Sequence, residues 1–396
     1  MAGSSNATVA MALGATLWIQ AVVSWAMLTV PVFGPIAARE LGLDLAYLGF
    51  FAGLAYVGSM TGALLGGGLV PRLGAIRLSQ LGMAICALAL AAVIPGHLWI
   101  FALAALFMGI GYGPTTPASS HVLSRHTPPR LLSLVFSIKQ TGVPLGGALA
   151  GAVVPPITVA FGWRGAALAV AAICLGTVLL VQPTRRRLDA DRNPNEPLLR
   201  GNPLSPLFFV LGRPDLRELA LTSFVFAAIQ QCLAVYLVAY LTSEIGYELV
   251  PAGLVLSVAL GVGIAGRILW GWVADRWGNS RLLLGFMSVG MAASSLAMSL
   301  WHPAWPLGAV LAVAAAYGAT GFGWNGVLLA EVARLATPAE AGRATGGTLF
   351  VTFFGVVVAP AGFGLLARLT GTLSTMYLSL GVVVLLCAAV LMRKRG

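Results

Sequence analysis

Lys139 and Arg267 carry positive charge in the middle of long apolar runs, so the search for chemistry starts with them. Lys139 lies eight residues past Leu131, where one run begins, and Arg267 lies eight before Asp275, where another ends. At about 1.5 Å per helical residue, each would sit ~12 Å from the end of its run. A charged side chain at such depth in a bilayer costs ~2.5–3.5 kcal/mol on insertion scales. No neighbouring run offers a fixed carboxylate at that depth. Snorkelling toward the interface is the plain structural explanation, and the distance makes it difficult. The functional reading is that two cations, one from each half of the chain, face a central cavity and hold an anion near the midplane. Polar and aromatic residues that could complete such a site are Gln20, Ser24 and Trp25 early in the chain, then Tyr112, Thr115 and Gln140. Gln230, Gln231, Tyr236, Trp324 and Asn325 are the corresponding set in the second half. For each of them, hydrogen bonding between helices is the competing explanation.

The elements that must position these residues follow from composition. The chain has 396 residues, of which 59% are apolar and 9% charged, and its mean hydropathy is +0.92. Soluble domains carry about 25% charged residues, so a water-facing globule, a secreted disulfide scaffold and a disordered chain are excluded. Apolar stretches fall near 12–38, 46–70, 77–95, 98–121, 131–156 and 163–183. They continue near 215–241, 250–273, 282–300, 304–330, 344–367 and 372–392. Each is about long enough to cross a hydrocarbon core as a helix, which needs ~20 residues, and a lipid-exposed backbone has to be helical to satisfy its own hydrogen bonds. The predicted fold is an all-α membrane protein of twelve crossings, with Pro31, Pro144 and Pro360 kinking theirs.

With the N-terminus inside, 18 basic residues fall on the cytoplasmic side, from Arg72 to Arg395, against Arg39, Arg164 and Arg368 outside. Lys139 and Arg267 make up the total of 23. This bias orients both termini toward the cytoplasm of a bacterial-type inner membrane. It also accounts for the net charge of +11 without nucleic acid, since no basic stripe alternates with aromatics. Cys86, Cys174, Cys232 and Cys387 sit singly in apolar runs, and no removable signal peptide is read at the start. His97, His121, His126 and His302 lack metal-ligand spacing, so no metal and no cofactor is expected. Gly261-Val-Gly263-Ile-Ala-Gly266 and Gly321-Phe-Gly323-Trp-Asn-Gly326 satisfy a dinucleotide pattern but follow no strand, and read as helix-packing glycines.

A polar connection, 184–214, divides the crossings into six-helix bundles at 1–183 and 215–396. The halves repeat: at an offset of 204 residues, LGLDL at 41–45 meets IGYEL at 245–249. The same register pairs Gly49 with Gly253, Gly62 with Gly266, Gly67 with Gly271, Arg72 with Arg276, Gly74 with Gly278 and Arg77 with Arg281.

These residues carry a resemblance. Gly271-Trp-Val-Ala-Asp275-Arg276-Trp-Gly278 is similar to the loop signature G-x-x-x-D-[RK]-x-G of the major facilitator superfamily. Gly67-Gly-Leu-Val-Pro71-Arg72-Leu-Gly74 resembles its first copy, with Pro71 at the acidic position. The resemblance covers essentially the whole chain. It implies two pseudo-symmetric six-helix bundles and a secondary transporter working by alternating access, not an enzyme. It also implies a cytoplasmic latch to which Glu331 and Arg334 would belong, favoured as an interfacial ion pair. Arg267-Ile-Leu-Trp-Gly271 resembles the R-x-x-x-G arrangement of the monocarboxylate and oxalate–formate branches, where that arginine contacts a substrate carboxylate. The stretch from Lys139 to Gly147 is similar to span five of cyanate and nitroimidazole-type permeases. The acidic opening in span one and the lysine in span eleven of those branches are missing, so neither substrate is inherited.

The expected cargo is a small organic anion, a carboxylate by preference, coupled to a proton or exchanged for a second anion by a monomer. A multidrug efflux antiporter of the same fold is the alternative, although its cationic cargo calls for buried acids. A channel or receptor is the remote one.

Overall fold

The computed structural model describes residues 6–128, 131–195, 204–336 and 340–393. For Leu64, Gly67, Leu132, Ser133, Leu134, Ser137, Asp275, Ala333, Ala341, Gly342 and Arg343 it describes the backbone alone. Arg130, Arg200, Lys394 and Arg395 of the basic tally lie outside the described residues.

The described residues form helices and no strand. In the first half these are α1 Asn6–Leu41, α2 Ala46–Leu73, α3 Ala75–Ala92, α4 Leu98–Tyr112, α5 Thr115–His126, α6 Leu132–Gln140 and α7 Gly142–Val181. Two short helices follow, α8 Arg185–Leu188 and α9 Ser205–Leu211. The second half holds α10 Pro214–Ser243, α11 Leu249–Trp277, α12 Ser280–Ser299 and α13 Leu307–Gly321. It ends with α14 Trp324–Leu335, α15 Ala341–Thr370 and α16 Ser374–Met392. Among the described residues, ten stretches are long and apolar enough to cross a membrane. One of them, Ile138–Leu188, is divided at Gly162 by a φ of 73°. With that division and α2, whose 28 residues are also long enough, the helices are consistent with twelve crossings.

Pro31, Pro144 and Pro360 lie inside helices, as expected, and the helix ends fall elsewhere. α1 runs through Pro31 and α15 through Pro360. The chain breaks instead at Gly113–Pro114, at Thr141 and at Phe322–Gly323. Pro114 and Pro144 each remove a backbone donor from their helical ladder. At Gly113 the backbone itself is crowded, because a Cβ there would stand 2.2 Å from the Ser59 carbonyl oxygen. The internal repeat shows in the backbone: Gly42 and Gly246 have φ of 66° and 82°, and Gly74 and Gly278 have 94° and 64°. Left-handed conformations of this kind favour glycine at helix ends, which is why these pairs keep the same register.

The chain folds as two compact units, Met1–Phe33 with Leu54–Gly201, and Gly34–Gly53 with Asn202–Gly396. In the first unit α3 packs on α4 and α7. In the second, α10 lies on α15, α11 on α13, and α12 on α16. The second unit includes the adjoining ends of α1 and α2. There Gly49 lies against the Pro360 carbonyl, and Arg368 Nε stands 3.5 Å from Asp44 Oδ2.

Candidate functional site

In the first unit, α6 stops at Thr141, whose hydroxyl donates to the Ile138 carbonyl at 2.6 Å. The break leaves Lys139 in the last turn of α6, buried to 2% exposure. Its Nζ donates to Gln20 Oε1 at 3.0 Å and to Gln140 Oε1 at 3.2 Å. An ammonium only donates, so both amides must present oxygen. Gln20 in turn donates from Nε2 to Ser24 Oγ at 3.4 Å. This cluster depends on close approach of α1 and α7. A Cβ on Gly142 would lie 2.9 Å from the Leu17 carbonyl oxygen, and one on Gly146 2.1 Å from that of Ala21. Next along α1, Trp25 is buried and its indole N–H has no partner among the described residues, nor has the buried Thr115 hydroxyl at the start of α5. Tyr112, just before the Gly113–Pro114 break, is half-buried and meets Tyr56 edge to face at 6.3 Å.

In the second unit Arg267 lies midway along α11, half-buried, and its Nε donates to the Phe322 carbonyl at 2.8 Å. That carbonyl belongs to the break between α13 and α14. Carbonyls at a helix end lack intrahelical partners, and here Arg267 supplies one. One turn on, Trp270 Nε1 donates to the Ala319 carbonyl at 2.9 Å. Gly263 and Gly266 let the helices approach, since a Cβ on Gly266 would stand 2.5 Å from the Ala319 carbonyl oxygen. The dinucleotide-like glycine string is thus partly a helix seam. Beyond the break, Asn325 donates from Nδ2 to Gln230 Oε1 at 3.5 Å. Gln231 is buried, and so is Trp324, which sits edge-on to Phe226 at 5.5 Å with its indole N–H unpartnered among the described residues. Tyr236 lies elsewhere in this unit: fully buried, it donates to the Pro360 carbonyl at 2.9 Å between Gly49 and Gly364.

The two loop signatures are built differently. α11 ends at Gly278 in the left-handed conformation, and Asn279 Oδ1 caps α12 by accepting from the Leu282 N–H at 3.0 Å. Arg276 stacks over the Trp272 ring at 4.1 Å, while the Asp275 side chain lies outside the described ones. Gly271 has open space where a Cβ would go. Arg281 pairs with Glu218 and donates to the Leu391 carbonyl, joining α12 to α10 and α16. Glu331 is buried and forms a bidentate pair with exposed Arg334, with Arg334 Nε donating to Oε2 at 2.8 Å. Hydrogen bonding to Glu331 raises the Arg334 pKa further.

In the first copy, Gly67 and half-buried Arg72 lie in α2, and Gly74 precedes α3. The carboxylate comes from the connection after α7. Asp189 Oδ1 accepts from the Ile76 N–H at 2.8 Å and Oδ2 from the Arg77 N–H at 3.0 Å. It therefore serves the first turn of α3, where free N–H groups and the helix dipole favour negative charge. Gly74 makes room: a Cβ there would lie 2.4 Å from Asp189 Cγ. Burial pushes the Asp189 carboxyl above its ordinary value, against the pull of the two backbone N–H groups and Arg185. Asp191 binds His121 Nε2 at 2.6 Å and Arg125 NH1 at 2.5 Å, and the Asn193 N–H reaches the Pro71 carbonyl at 2.6 Å. Sequence reasoning left Asp189 and Asp191 in an undifferentiated polar loop. The one signal for them was Pro71, which left the first signature short of an acid.

Among the described residues no group of His, Cys, Asp and Glu could hold a metal ion. The chain is 29% identical over 364 residues to a gentisate transporter of Corynebacterium glutamicum, covering 89% of this chain and 80% of that protein. A hexuronate transporter of Bacillus subtilis is 25% identical over 260 residues, 62% of this chain and 59% of its own. The fold matches a crystal structure of a bacterial homologue of the human lysosomal transporter Spinster, in an inward-facing, unoccupied conformation. The TM-score is 0.75 and the identity 15%, over 98% of this chain and 96% of that one. The family model of the Major Facilitator Superfamily matches residues 13–360. With two loop signatures, a shared fold and the family match across most of its length, this chain belongs to that superfamily and is a membrane transporter rather than an enzyme.

Proposed function

We propose that this transporter moves a small organic anion bearing a carboxylate, and that Lys139 is the group that receives the carboxylate. The observation that carries the reading is an ammonium buried among the neutral amide oxygens of Gln20 and Gln140 at a helix break. Amide oxygens orient the lysine while carrying no net charge of their own, so an anion could compete with them for it. Arriving substrate would take the place of one amide and keep that Nζ donor satisfied. The unpartnered Trp25 indole and Thr115 hydroxyl add buried donors in the same unit. A buried donor left unsatisfied costs about 1–3 kcal/mol, which an anion's oxygens could offset.

In the second unit, Arg267, Gln230 and Asn325 are the proposed polar contacts, with the buried indole of Trp324 beside them. Arg267 engages the Phe322 carbonyl through Nε, so a bound anion would share a guanidinium that also braces the helix break. Tyr236 is assigned to its helix seam rather than to the substrate. The relatives support the cargo class: gentisate and hexuronate are both carboxylates. The excess of basic residues on one side supports an inner-membrane placement with both termini cytoplasmic.

Coupling follows from charge balance at Lys139. Either a proton travels with the anion, or a second anion takes its place before the lysine returns. Proteoliposomes separate the two: acid-driven uptake without internal anion marks proton coupling, and strict dependence on internal anion marks exchange. The test of the site is uptake of gentisate and of a uronate by wild type and Lys139→Ala. A loss of at least about 30-fold in apparent affinity or rate is expected for removal of a buried charged partner. Unchanged carboxylate uptake in the variant overturns the assignment.

A further inference from the structure

Arg185, Arg186 and Arg192, with Gln182, Pro183 and Asp189, line a cavity of about 640 Å³ on the first unit. It lies just beyond the last turn of α7, on the side that the arginine bias assigns to the cytoplasm. The two acids of this segment among the described residues, Asp189 and Asp191, are engaged elsewhere. Asp189 is occupied by the Ile76 and Arg77 N–H groups, and Arg185 Nε stands 3.9 Å from its Oδ2. Asp191 is turned to His121 and Arg125. Arg186 and Arg192 are exposed and form no ion pair among the described residues. Among the described residues the wall thus holds more positive charge than its one carboxylate, Asp189, can balance. It keeps its shape because the same carboxylates, with the Asn193 N–H on Pro71, pin the segment to α2, α3 and α5.

Immediately before the cavity, Leu179 and Leu180 are 75% and 66% exposed. An apolar wall running into an arginine-lined hollow at a membrane boundary fits a molecule that is apolar at one end and anionic at the other. We propose that the cavity binds the phosphate of an anionic phospholipid of the inner leaflet, whose acyl chains lie along Leu179 and Leu180. Guanidinium groups suit phosphate because their planar donors match its oxygens in pairs. Such a lipid would bridge the end of α7 to the segment that serves α3.

The test uses the purified full chain and reads binding by native mass spectrometry and thermal shift, independently of transport. Phosphatidylglycerol is compared with phosphatidylcholine and with inorganic phosphate. The protein is wild type, Arg186→Ala/Arg192→Ala, or Arg217→Ala/Arg393→Ala, which removes the same charge from the second unit. Selective binding of phosphatidylglycerol by wild type is expected, weakened roughly 30-fold by loss of the two cavity arginines and unchanged in the control pair. Equal weakening in both pairs means diffuse attraction to a basic face and overturns the proposal. Binding of inorganic phosphate with no gain from the lipid also overturns it, and marks the cavity as a site for free phosphate.

Discussion

Lys139 and Arg267 enter the membrane as the same kind of anomaly, a cation deep in an apolar span, yet the two units use them differently. Lys139 is enclosed and held by the amide oxygens of Gln20 and Gln140. Arg267 is half-buried and braces a helix break through the Phe322 carbonyl. The difference follows from side-chain chemistry. A compact ammonium can be surrounded on all sides, whereas a planar guanidinium presents an edge that can brace a backbone carbonyl. The lysine is thus read as a binding group alone, and the arginine as partly architectural.

The strongest way to break this comparison is to remove each charge and follow transport and thermal stability together. Lys139→Leu is expected to lower carboxylate transport by at least about 30-fold while leaving the Tm little changed, because relief of the buried charge offsets the Gln20 oxygen left without its donor. A clear fall in Tm would show Lys139 to be structural. Arg267→Leu is expected to lower both, since it leaves the Phe322 carbonyl without its donor at a cost of about 1–3 kcal/mol. A variant with normal Tm and no transport would make Arg267 a binding group like Lys139.

The next level concerns the seams that hold each cation in place. Gly146→Ala and Gly266→Ala both drive a Cβ into a carbonyl oxygen, and each is expected to destabilise by about 1–3 kcal/mol through overpacking. Uptake assays at a temperature where both variants are folded sharpen the contrast, because only Gly146→Ala should move the amide cluster and raise the apparent KM. Gly271→Ala, with open space at its Cβ, is the tolerated control. A loss of folding at Gly271 equal to that at Gly146 would contradict the packing account.

Smaller effects are expected where the loop signatures diverge. Asp189→Ala removes the carboxylate serving α3 and should destabilise the chain by about 0.5–2 kcal/mol, measured by thermal shift. The pH dependence of this segment has a definite sign at Asp191. Burial raises the Asp191 carboxyl, but the His121 hydrogen bond and neighbouring Arg125 outweigh it, so its pKa lies below the ordinary 3.8. A depressed carboxylate contributes its stability in full above the ordinary value and loses it as pH falls through the lower folded value. Amide exchange at Asn193 should therefore stay slow from neutral pH down to that range and rise only below it. Acceleration already between pH 7 and 5 would mean that Asp191 does not hold the segment.

Much of the fold could be read from the chain because its causes are local. Apolar runs of membrane length must become helices, and the 204-residue repeat placed Gly42 opposite Gly246 and Gly74 opposite Gly278, where the backbone demands glycine in both copies. The pair of Glu331 with Arg334 is also local, three residues apart on one helix. The helix breaks were less legible. Pro31 and Pro360 sit inside continuous helices, whereas Phe322–Gly323 interrupts a span without any proline. A break is stable only where something outside the helix satisfies the freed groups, and at Phe322 that something is Arg267, 55 residues earlier.

Sequence alone therefore determined that the chain is a helical membrane protein of duplicated design, and which two spans carry unexplained charge. Hydropathy, the count of arginines and the register of glycines are properties of neighbouring residues, and need no partner to be read. Tertiary structure decided what those charges touch. It brought Gln20 to Lys139 across 119 residues and Asp189 to Ile76 across 113, and gave Arg267 a backbone carbonyl to brace. In an apolar interior an unmet hydrogen bond is expensive, so most buried polar groups take whichever partner the packing brings within 3 Å or so. That choice is made by how helices meet, and chain order does not record it.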